Sequence, residues 1–294
     1  MQPVYARQLL TPLKPDPERW FLSHWNMNLY RGCSHGCIYC DSRSTCYHLD
    51  HFDTIRPKEN ALTLLDRELA GKRKTGIIST GAMSDPYNPL ERTLRLTRGA
   101  LELILRRGFG VDFTTKSALC ARDTSLLAEI GRYAPVNARL TITCADDALC
   151  RRVEPHVSVT SERLEAVRTM SRAGIFCGVW LNPMLPFLAD DEENMCHILR
   201  MAAEAGAQYV VCFFSITLRD GDREYFFAAL ERDFPGVRER YLRTYGNSYV
   251  CPVPDADRLY EVFKAECERL GLLWRFGDIN RALTARQPVQ QTMF

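Results

Sequence analysis

The sequence lacks the features of a membrane or exported protein. No run of about 18 consecutive apolar residues occurs in its 294 residues, and the N-terminal stretch Met1–Arg7 has no apolar core of a signal peptide. The twelve cysteines are scattered rather than framed in pairs, which favours a reducing compartment over a disulfide scaffold. We therefore expect a cytoplasmic protein with no membrane partner. The net charge of +2 neither indicates nor excludes a nucleic-acid partner.

Three cysteines do lie close together in the chain. Cys33, Cys37 and Cys40 follow a C-x3-C-x2-C spacing, and no second C-x2-C pair completes the four ligands of a structural zinc site. Three thiolates on one tight loop can hold three irons of a four-iron cluster and leave the fourth iron open. Gly32 and Gly36 give the loop the backbone freedom to wrap closely around such a group. The alternative is that the three cysteines are packed as small hydrophobic residues.

Short apolar runs alternate with longer helical patterns along the chain, which predicts parallel βαβ units. The predicted strands are Trp25–Tyr30, Gly76–Thr80, Gly110–Thr115, Arg139–Cys144, Ile175–Leu181 and Tyr209–Phe214. The predicted helices of this part are Asn60–Ala70, Thr93–Arg107, Asp123–Tyr133, Ser161–Ala173 and Asp191–Ala205. Six such units predict an α/β fold, namely a partial (β/α)6 TIM-like barrel with its site at the C-terminal ends of the strands.

The pattern changes beyond Asp220, where helical stretches at Arg223–Arg232 and Asp257–Leu270 flank a polar segment. We interpret residues 221–285 as a C-terminal α-rich cap packed on a barrel formed by residues 21–220. Residues 1–20 are then an N-terminal extension, and residues 286–294 are a flexible tail.

The cysteine motif resembles that of the radical S-adenosylmethionine (SAM) superfamily. The resemblance implies a [4Fe-4S] cluster held by Cys33, Cys37 and Cys40, whose open iron takes the amino and carboxylate groups of SAM. It also implies that reduction, by a donor such as flavodoxin or ferredoxin, cleaves SAM to a 5'-deoxyadenosyl radical.

Polar side chains at the ends of the predicted strands are candidates for binding SAM. Ser84 and Asp85 follow the second strand, Lys116 follows the third, and Thr141 and Thr143 belong to the fourth. A lysine and hydroxyls that converge there can bind the carboxylate and the ribose of SAM. The alternatives are that Lys116 is solvated, that the threonines are ordinary strand residues, and that Asp85 initiates a turn.

Glu154 and Arg163 form a second candidate pair after the fourth strand. If they are buried together, the pair would orient a ribose or shape the pocket. The equally simple alternative is a surface loop followed by a helix cap.

Longer stretches are similar to one branch of the superfamily, the spore photoproduct lyase and DNA-repair-photolyase-like proteins. The similar stretches are Asn28–Arg43, Met83–Pro89, Thr115–Ser117, Glu154–Pro155 and Asn182–Pro186. This resemblance implies a lyase that acts on damaged DNA and reverses a methylene-bridged thymine dimer, with hydrogen abstraction from the lesion and later return of a hydrogen atom by a protein group.

The chain departs from that branch at the hydrogen-returning position. Those lyases carry a cysteine shortly before the Ser-Asp of the second turn, where this chain has Ala82, and a tyrosine after the last cluster cysteine, where it has Asp41. Either the path of hydrogen return or the substrate must differ. Cys46 is the nearest other thiol in sequence, and Tyr39 or Tyr87 could relay the hydrogen atom. The alternative for Cys46 is a buried or surface cysteine without a catalytic role.

Two other functions stay open. One is a radical SAM enzyme that acts on a peptide or a small molecule. The other is a non-catalytic nucleic-acid-binding protein with a structural cluster, for which basic segments such as Gly71–Lys74 could contact phosphates.

The C-terminal residues Gln290–Phe294 resemble the short peptides by which bacterial repair proteins bind the sliding clamp. Met293 and Phe294 would fill an apolar groove as an extended segment that becomes ordered on binding. The alternative is a tail without a partner.

Overall fold

The computed structural model describes residues 4–286. Its strands are β1 Leu10–Pro12, β2 Trp25–Met27, β3 Tyr30–Arg31, β4 Arg56–Pro57, β5 Ile77–Thr80, β6 Gly110–Thr115, β7 Val136–Thr141, β8 Phe176–Leu181, β9 Tyr209–Cys212, β10 Ser215–Thr217 and β11 Val250–Pro252. Seven of them form a central sheet in the order β1-β2-β5-β6-β7-β8-β9. Strands β2 and β5 to β9 are parallel, whereas β1 pairs antiparallel with β2 at one edge. Two short antiparallel pairs, β3–β4 and β10–β11, lie outside this sheet.

Ten α-helices accompany these strands within residues 4–286. They are α1 Ala61–Ala70, α2 Leu96–Arg106, α3 Thr124–Ile130, α4 Asp147–Val153, α5 Thr160–Arg172, α6 Glu192–Glu204, α7 Asp222–Asp233, α8 Val237–Tyr245, α9 Ala256–Leu270 and α10 Phe276–Ala285. Short 3-10 helices lie at Asp41–Arg43, Thr45–Tyr47, Pro89–Arg92 and Ala118–Asp123. In the described part of the chain no helix is both long enough and apolar enough to cross a membrane.

The α/β class and the six parallel strands are confirmed. Closure into a barrel is not confirmed. The strand pairing of the sheet ends at β1 and at β9, and these two edge strands are not joined within residues 4–286. The division into extension, barrel, cap and tail stays a prediction. The tail, including Gln290–Phe294, lies outside the described residues.

The two faces of the sheet differ in chemistry, because successive strand residues point to opposite sides. On one face, aliphatic strand residues such as Ile78, Val111 and Leu140 pack with the helices in one large core. On the other face lie polar residues, with Asp112 and Arg139 forming a buried ion pair. We call this second side the inner face of the sheet.

The polar inner face explains one wrong strand boundary. The strand predicted at Arg139–Cys144 begins and ends three residues earlier, at Val136–Thr141. Asn137 and Arg139 point to the inner face, where Asn137 donates from Nδ2 to Asp112 at 3.0 Å, so the strand lacks a continuous apolar run. The later residues Ile142 and Cys144 are buried but lie beyond the strand. Apolar periodicity therefore placed the strand too late in the chain.

The segment before β2 is fixed to α10, the last helix within residues 4–286. The side chain of Asn280, on α10, accepts a hydrogen bond from the N–H of Leu22 at 2.9 Å. Its Nδ2 atom donates to the carbonyls of Pro17 at 2.7 Å and Trp20 at 2.8 Å. Trp20 also stacks on Phe276 of α10, with 5.6 Å between ring centroids. Two segments from opposite ends of the chain thus form one wall beside the inner face.

Candidate active site at the C-terminal edge of the sheet

The three-cysteine loop follows β3 and depends on two glycines in the left-handed region. Gly32 has a φ of 79° and Gly36 a φ of 70°. A Cβ at Gly32 would lie 2.5 Å from the carbonyl oxygen of Phe52, and one at Gly36 would lie 3.0 Å from the His156 ring. Gly32 therefore allows close approach of the loop to the backbone at Phe52, and Gly36 allows close approach to the His156 side chain. The loop is fixed by the N–H of Ile38, which donates to the carbonyl of Val153 at 3.0 Å.

The loop brings its three thiols into a poorly solvated setting. Cys33 and Cys37 are buried and Cys40 is half-buried. Burial raises the pKa of Cys33 to about 12 and raises the pKa of Cys37 and of Cys40, while Lys116 acts in the opposite direction on the last two. Thiolates here need a nearby positive charge, which bound iron supplies. The loop therefore fits an iron–sulfur cluster.

The thiols do not form a site for a single ion. In the described part of the chain, no three His, Cys, Asp or Glu side chains converge as they would around one metal. A four-iron cluster instead spreads three thiolates over three different irons. The assignment of the three cysteines as cluster ligands stays a prediction from their spacing.

Lys116 places a positive charge beside this loop. It follows β6, and its ammonium group lies 5.6 Å from the ring centroid of Tyr39. Burial opposes the charge of Lys116, but the negative charges of Cys37 and Glu154 outweigh it and raise the pKa of the lysine. Lys116 therefore stays protonated beside the cluster loop.

Glu154 and Arg163 are buried together, so the surface-loop alternative is wrong. They form an ion pair in which both side chains are fully buried. The hydroxyl of Tyr39 donates to the same carboxylate, and that of Thr143 approaches it at 3.4 Å. Burial opposes the charge of Glu154, but Arg163 and Lys116 outweigh it and lower its pKa. The carboxylate therefore connects the cluster loop with α5.

Ser84 and Asp85 support the cluster loop from the side. The hydroxyl of Ser84 donates to the carbonyl of Gly32 at 2.6 Å. One oxygen of Asp85 accepts from the Thr115 hydroxyl at 2.6 Å, and the other accepts from the N–H of Lys116 at 2.8 Å. These bonds tie the turn after β5 to the end of β6. Both side chains are occupied within the protein rather than presented to a ligand.

A cavity of about 520 Å³ lies at the C-terminal edge of the sheet. Of the residues predicted to bind cofactors or take part in catalysis, it brings together Tyr39, Cys40, Lys116 and Thr141. Thr143, Glu154 and Arg163 are not among its lining residues. The cavity volume is in the range of small-molecule sites.

The remaining candidates for hydrogen return lie outside the cavity lining. Tyr87 is buried, and its hydroxyl has no hydrogen-bond partner within the described residues. Cys46 is exposed, with its Sγ atom 3.4 Å from Nη1 of Arg219 and 3.2 Å from the Ser44 hydroxyl. Ala82, at the position of the missing thiol, does line the cavity.

Sequence reasoning missed two groups around the cavity. The first is an aromatic wall formed by Trp20, Trp180 and Phe213, in which Trp20 stacks on Phe213 with 6.1 Å between centroids. The second is a rim in which the Tyr47 hydroxyl donates to Asp41 at 2.8 Å and Asp41 pairs with Arg219 at 3.1 Å. Trp20 and Phe213 are distant in sequence, as are Asp41 and Arg219, and no sequence pattern indicates either contact.

These features define an α/β protein with a parallel sheet, a three-cysteine loop suited to a [4Fe-4S] cluster and an adjoining cavity at the carboxyl ends of the strands. The family model that matches residues 27–202 is that of the radical SAM superfamily. The chain belongs to this superfamily: it is a radical SAM enzyme, which uses a [4Fe-4S] cluster and SAM.

Similar proteins are known as sequences and as structures. An uncharacterized protein of Mycobacterium tuberculosis is 32% identical over 246 residues, which cover 81% of this chain and 72% of the relative. Spore photoproduct lyase complexed with dinucleoside spore photoproduct has a TM-score of 0.63 at 16% identity, covering 92% of this chain and 79% of the lyase chain. The radical SAM methyltransferase TsrM from Kitasatospora setae, solved with its tryptophan substrate and a SAM analogue, has a TM-score of 0.57 at 14% identity, covering 91% and 56%. At such identities the two structures show a shared fold.

We predict that Cys37→Ala abolishes cluster binding and reductive SAM cleavage, because the two remaining thiolates hold the cluster too weakly. Cys33→Ala and Cys40→Ala should behave alike. Iron and sulfide content, visible absorbance and 5'-deoxyadenosine yield measure the effect. The matched control is Cys196→Ala on α6, outside the loop, which should keep the cluster. Full SAM cleavage by Cys37→Ala would contradict the ligand assignment.

We predict that Glu154→Gln destabilises the protein by about 3–5 kcal/mol, because it leaves the buried Arg163 charge without its partner. Chemical denaturation measures this change. Glu165→Gln is the matched control, since Glu165 pairs with Arg168 on the exposed side of α5 and its loss should cost less than about 1 kcal/mol. Equal effects of the two substitutions would show that the buried pair has no special role.

Proposed function

We propose that this radical SAM enzyme acts on damaged DNA and reverses a methylene-bridged thymine dimer. The observation that carries the proposal is the aromatic wall of Trp20, Trp180 and Phe213 in the same cavity as Cys40 and Lys116. Trp20 is 49% exposed and Phe213 is 42% exposed, so both rings keep surface available for stacking. Nucleobases stack on such side chains. The fold shared with spore photoproduct lyase supports the same substrate class.

The residues of the cavity have distinct roles in this proposal. When bound, the cluster and SAM supply a carbon-centred radical that abstracts a hydrogen atom from the substrate. Lys116 binds the SAM carboxylate through its positive charge, and Thr141 contributes a hydroxyl to the same side. Trp20 and Phe213 stack on the damaged bases and exclude water from the radical. The Glu154–Arg163 pair orients the cluster loop through Tyr39.

A second candidate function has support from the same wall. An indole or another aromatic side chain could stack where a base would, and TsrM is solved with a tryptophan substrate. A radical SAM enzyme acting on a peptide or a small molecule therefore remains the alternative. DNA has the additional requirement of phosphate contacts, which Arg219 at the rim can supply.

We predict that the reconstituted enzyme, with SAM and a reductant under anaerobic conditions, converts a defined dithymine lesion into two thymines. Mass spectrometry measures the loss of lesion and the gain of thymine, and 5'-deoxyadenosine is quantified in parallel. Formation of 5'-deoxyadenosine without any loss of lesion, in both a dinucleoside and a duplex, would overturn the proposed substrate while leaving the enzyme class intact.

The same assay tests the aromatic wall. Trp20→Ala should weaken lesion binding by about tenfold, since one base–aromatic stack contributes about 1–3 kcal/mol. Substrate-free SAM cleavage should not change. Tyr133→Ala is the control, because Tyr133 is an exposed aromatic residue outside the cavity.

We predict that Cys46→Ala leaves SAM cleavage intact but diverts the substrate radical to side products, if Cys46 returns the hydrogen atom. The exposed thiol lies beside Arg219 at the rim, next in sequence to Tyr47, whose ring lines the cavity. Product analysis by mass spectrometry in deuterated water measures the hydrogen source. The product distribution of Tyr47→Phe should be measured in the same way, because this variant removes the phenolic O–H next in sequence to the Cys46 thiol. An unchanged product distribution in Cys46→Ala would remove this thiol from the mechanism.

A further inference from the structure

The floor of the cavity at the C-terminal edge of the sheet is a chain of hydrogen bonds that crosses three parallel strands. Ser79 on β5, Thr114 on β6 and Arg139 on β7 line this part of the cavity. The Ser79 hydroxyl donates to one oxygen of the buried Asp112 at 3.1 Å, and Nη2 of Arg139 donates to the same oxygen at 3.0 Å. Nε of Arg139 then donates to the Thr114 hydroxyl oxygen at 2.9 Å. We call these four residues the floor chain.

Within residues 4–286, the lining of the cavity leaves no unbalanced charge for a substrate. Its charged side chains are Asp41, Lys116 and Arg139. Arg139 pairs with Asp112, and Asp41 pairs with Arg219 at 3.1 Å. In the proposed function Lys116 binds the carboxylate of SAM. A charged group of the substrate would therefore lose its water at the floor without gaining a partner, so a neutral group is favoured.

The two hydroxyl groups of the floor chain leave opposite hydrogen-bonding functions for a ligand. A hydroxyl has one proton to donate and two lone pairs to accept. Ser79 uses its proton on Asp112, so its oxygen remains able to accept. The Thr114 oxygen accepts from Arg139, and its own proton has no acceptor within the described residues. The floor therefore offers an acceptor on one strand and a donor on the next strand.

A lactam ring complements these two groups, because it carries an N–H donor beside a carbonyl acceptor. An indole ring carries an N–H but no carbonyl. The Thr114 proton would then lose its water without gaining an acceptor, which is unfavourable. Trp180 also lines the cavity and contacts Trp20 with 5.7 Å between ring centroids, so a flat ring that reaches the floor is bounded by aromatic side chains.

We propose that the floor chain selects a neutral lactam ring of the substrate, in which Ser79 accepts from the ring N–H and Thr114 donates to a ring carbonyl. This inference rests on the proposed function, because each ring of a thymine dimer keeps an N–H beside a carbonyl. It also selects against the indole of the alternative substrate. Ser79 and Thr114 thus determine which ring is held at the floor, and no covalent bond forms or breaks there.

Binding to the reconstituted enzyme, with SAM and without reductant, tests the selection with thymidine and 3-methylthymidine as probes. Ligand-observed NMR measures both affinities. The wild-type enzyme should prefer thymidine by about tenfold, because the methyl group replaces the N–H that Ser79 accepts. Ser79→Ala should bring the two affinities close together, whereas Thr114→Val should weaken both by about tenfold. A purely structural role of Ser79 would change both affinities alike and keep their ratio.

Thr217→Val is the matched control, since Thr217 lines the same cavity from β10 rather than from the floor. It should leave both affinities and their ratio unchanged. Thermal unfolding checks that each variant is folded, and the wild-type ratio alone decides if a variant is not. Equal wild-type affinities, a ratio that survives in Ser79→Ala, or no thymidine binding in the millimolar range would overturn the inference. Absence of lesion repair with the thymidine preference intact would instead reject only the lesion as substrate.

Discussion

The buried ion pair between Glu154 and Arg163 is the interaction on which the site depends. Arg163 also donates from Nη1 to the carbonyl of Thr141 at 2.7 Å and from Nε to the carbonyl of Ser158 at 2.6 Å. Its guanidinium group thus joins α5 to the end of β7, while the carboxylate accepts from Tyr39 of the cluster loop. Two charges removed from water are costly unless each is fully bonded, and here they are bonded on several sides. The loop is therefore held by the sheet rather than by its own short turns.

A second buried pair lies beneath the cavity. Arg139 donates from Nη2 to Asp112 at 3.0 Å and from Nε to the Thr114 hydroxyl at 2.9 Å, and its guanidinium carbon lies 3.7 Å from the Phe21 ring centroid. Asp112 also accepts from the hydroxyls of Ser23 and Ser79. The inner face is accordingly a layer of polar side chains that hydrogen-bond to one another. The helix-covered face holds the aliphatic core, so stability and the shape of the cavity floor come from different sides of one sheet.

The sequence was sufficient for the parts of the molecule that are local. The cysteine spacing indicated the superfamily, the glycines indicated the sharp turns of the three-cysteine loop, and the alternation of apolar runs indicated the six parallel strands. It was insufficient where a contact joins distant residues. Nothing near Trp20 indicates Phe213 as its stacking partner, and Asp41 gives no sign of Arg219. Polar residues on the inner face also interrupt the apolar pattern of β7. The predicted boundaries of that strand were therefore three residues too late.

The hydrogen bonds made by Asn280 affect the order in which contacts can form while the chain is synthesised. Its partners lie 258 to 263 residues earlier in the chain. During synthesis, therefore, the cluster loop and all the parallel strands precede the helix that fixes the Trp20 wall. A nascent chain can therefore complete its cysteine loop long before the Trp20 side of the cavity is fixed in place. Helix α10 thus determines when the cavity acquires the wall that contains Trp20.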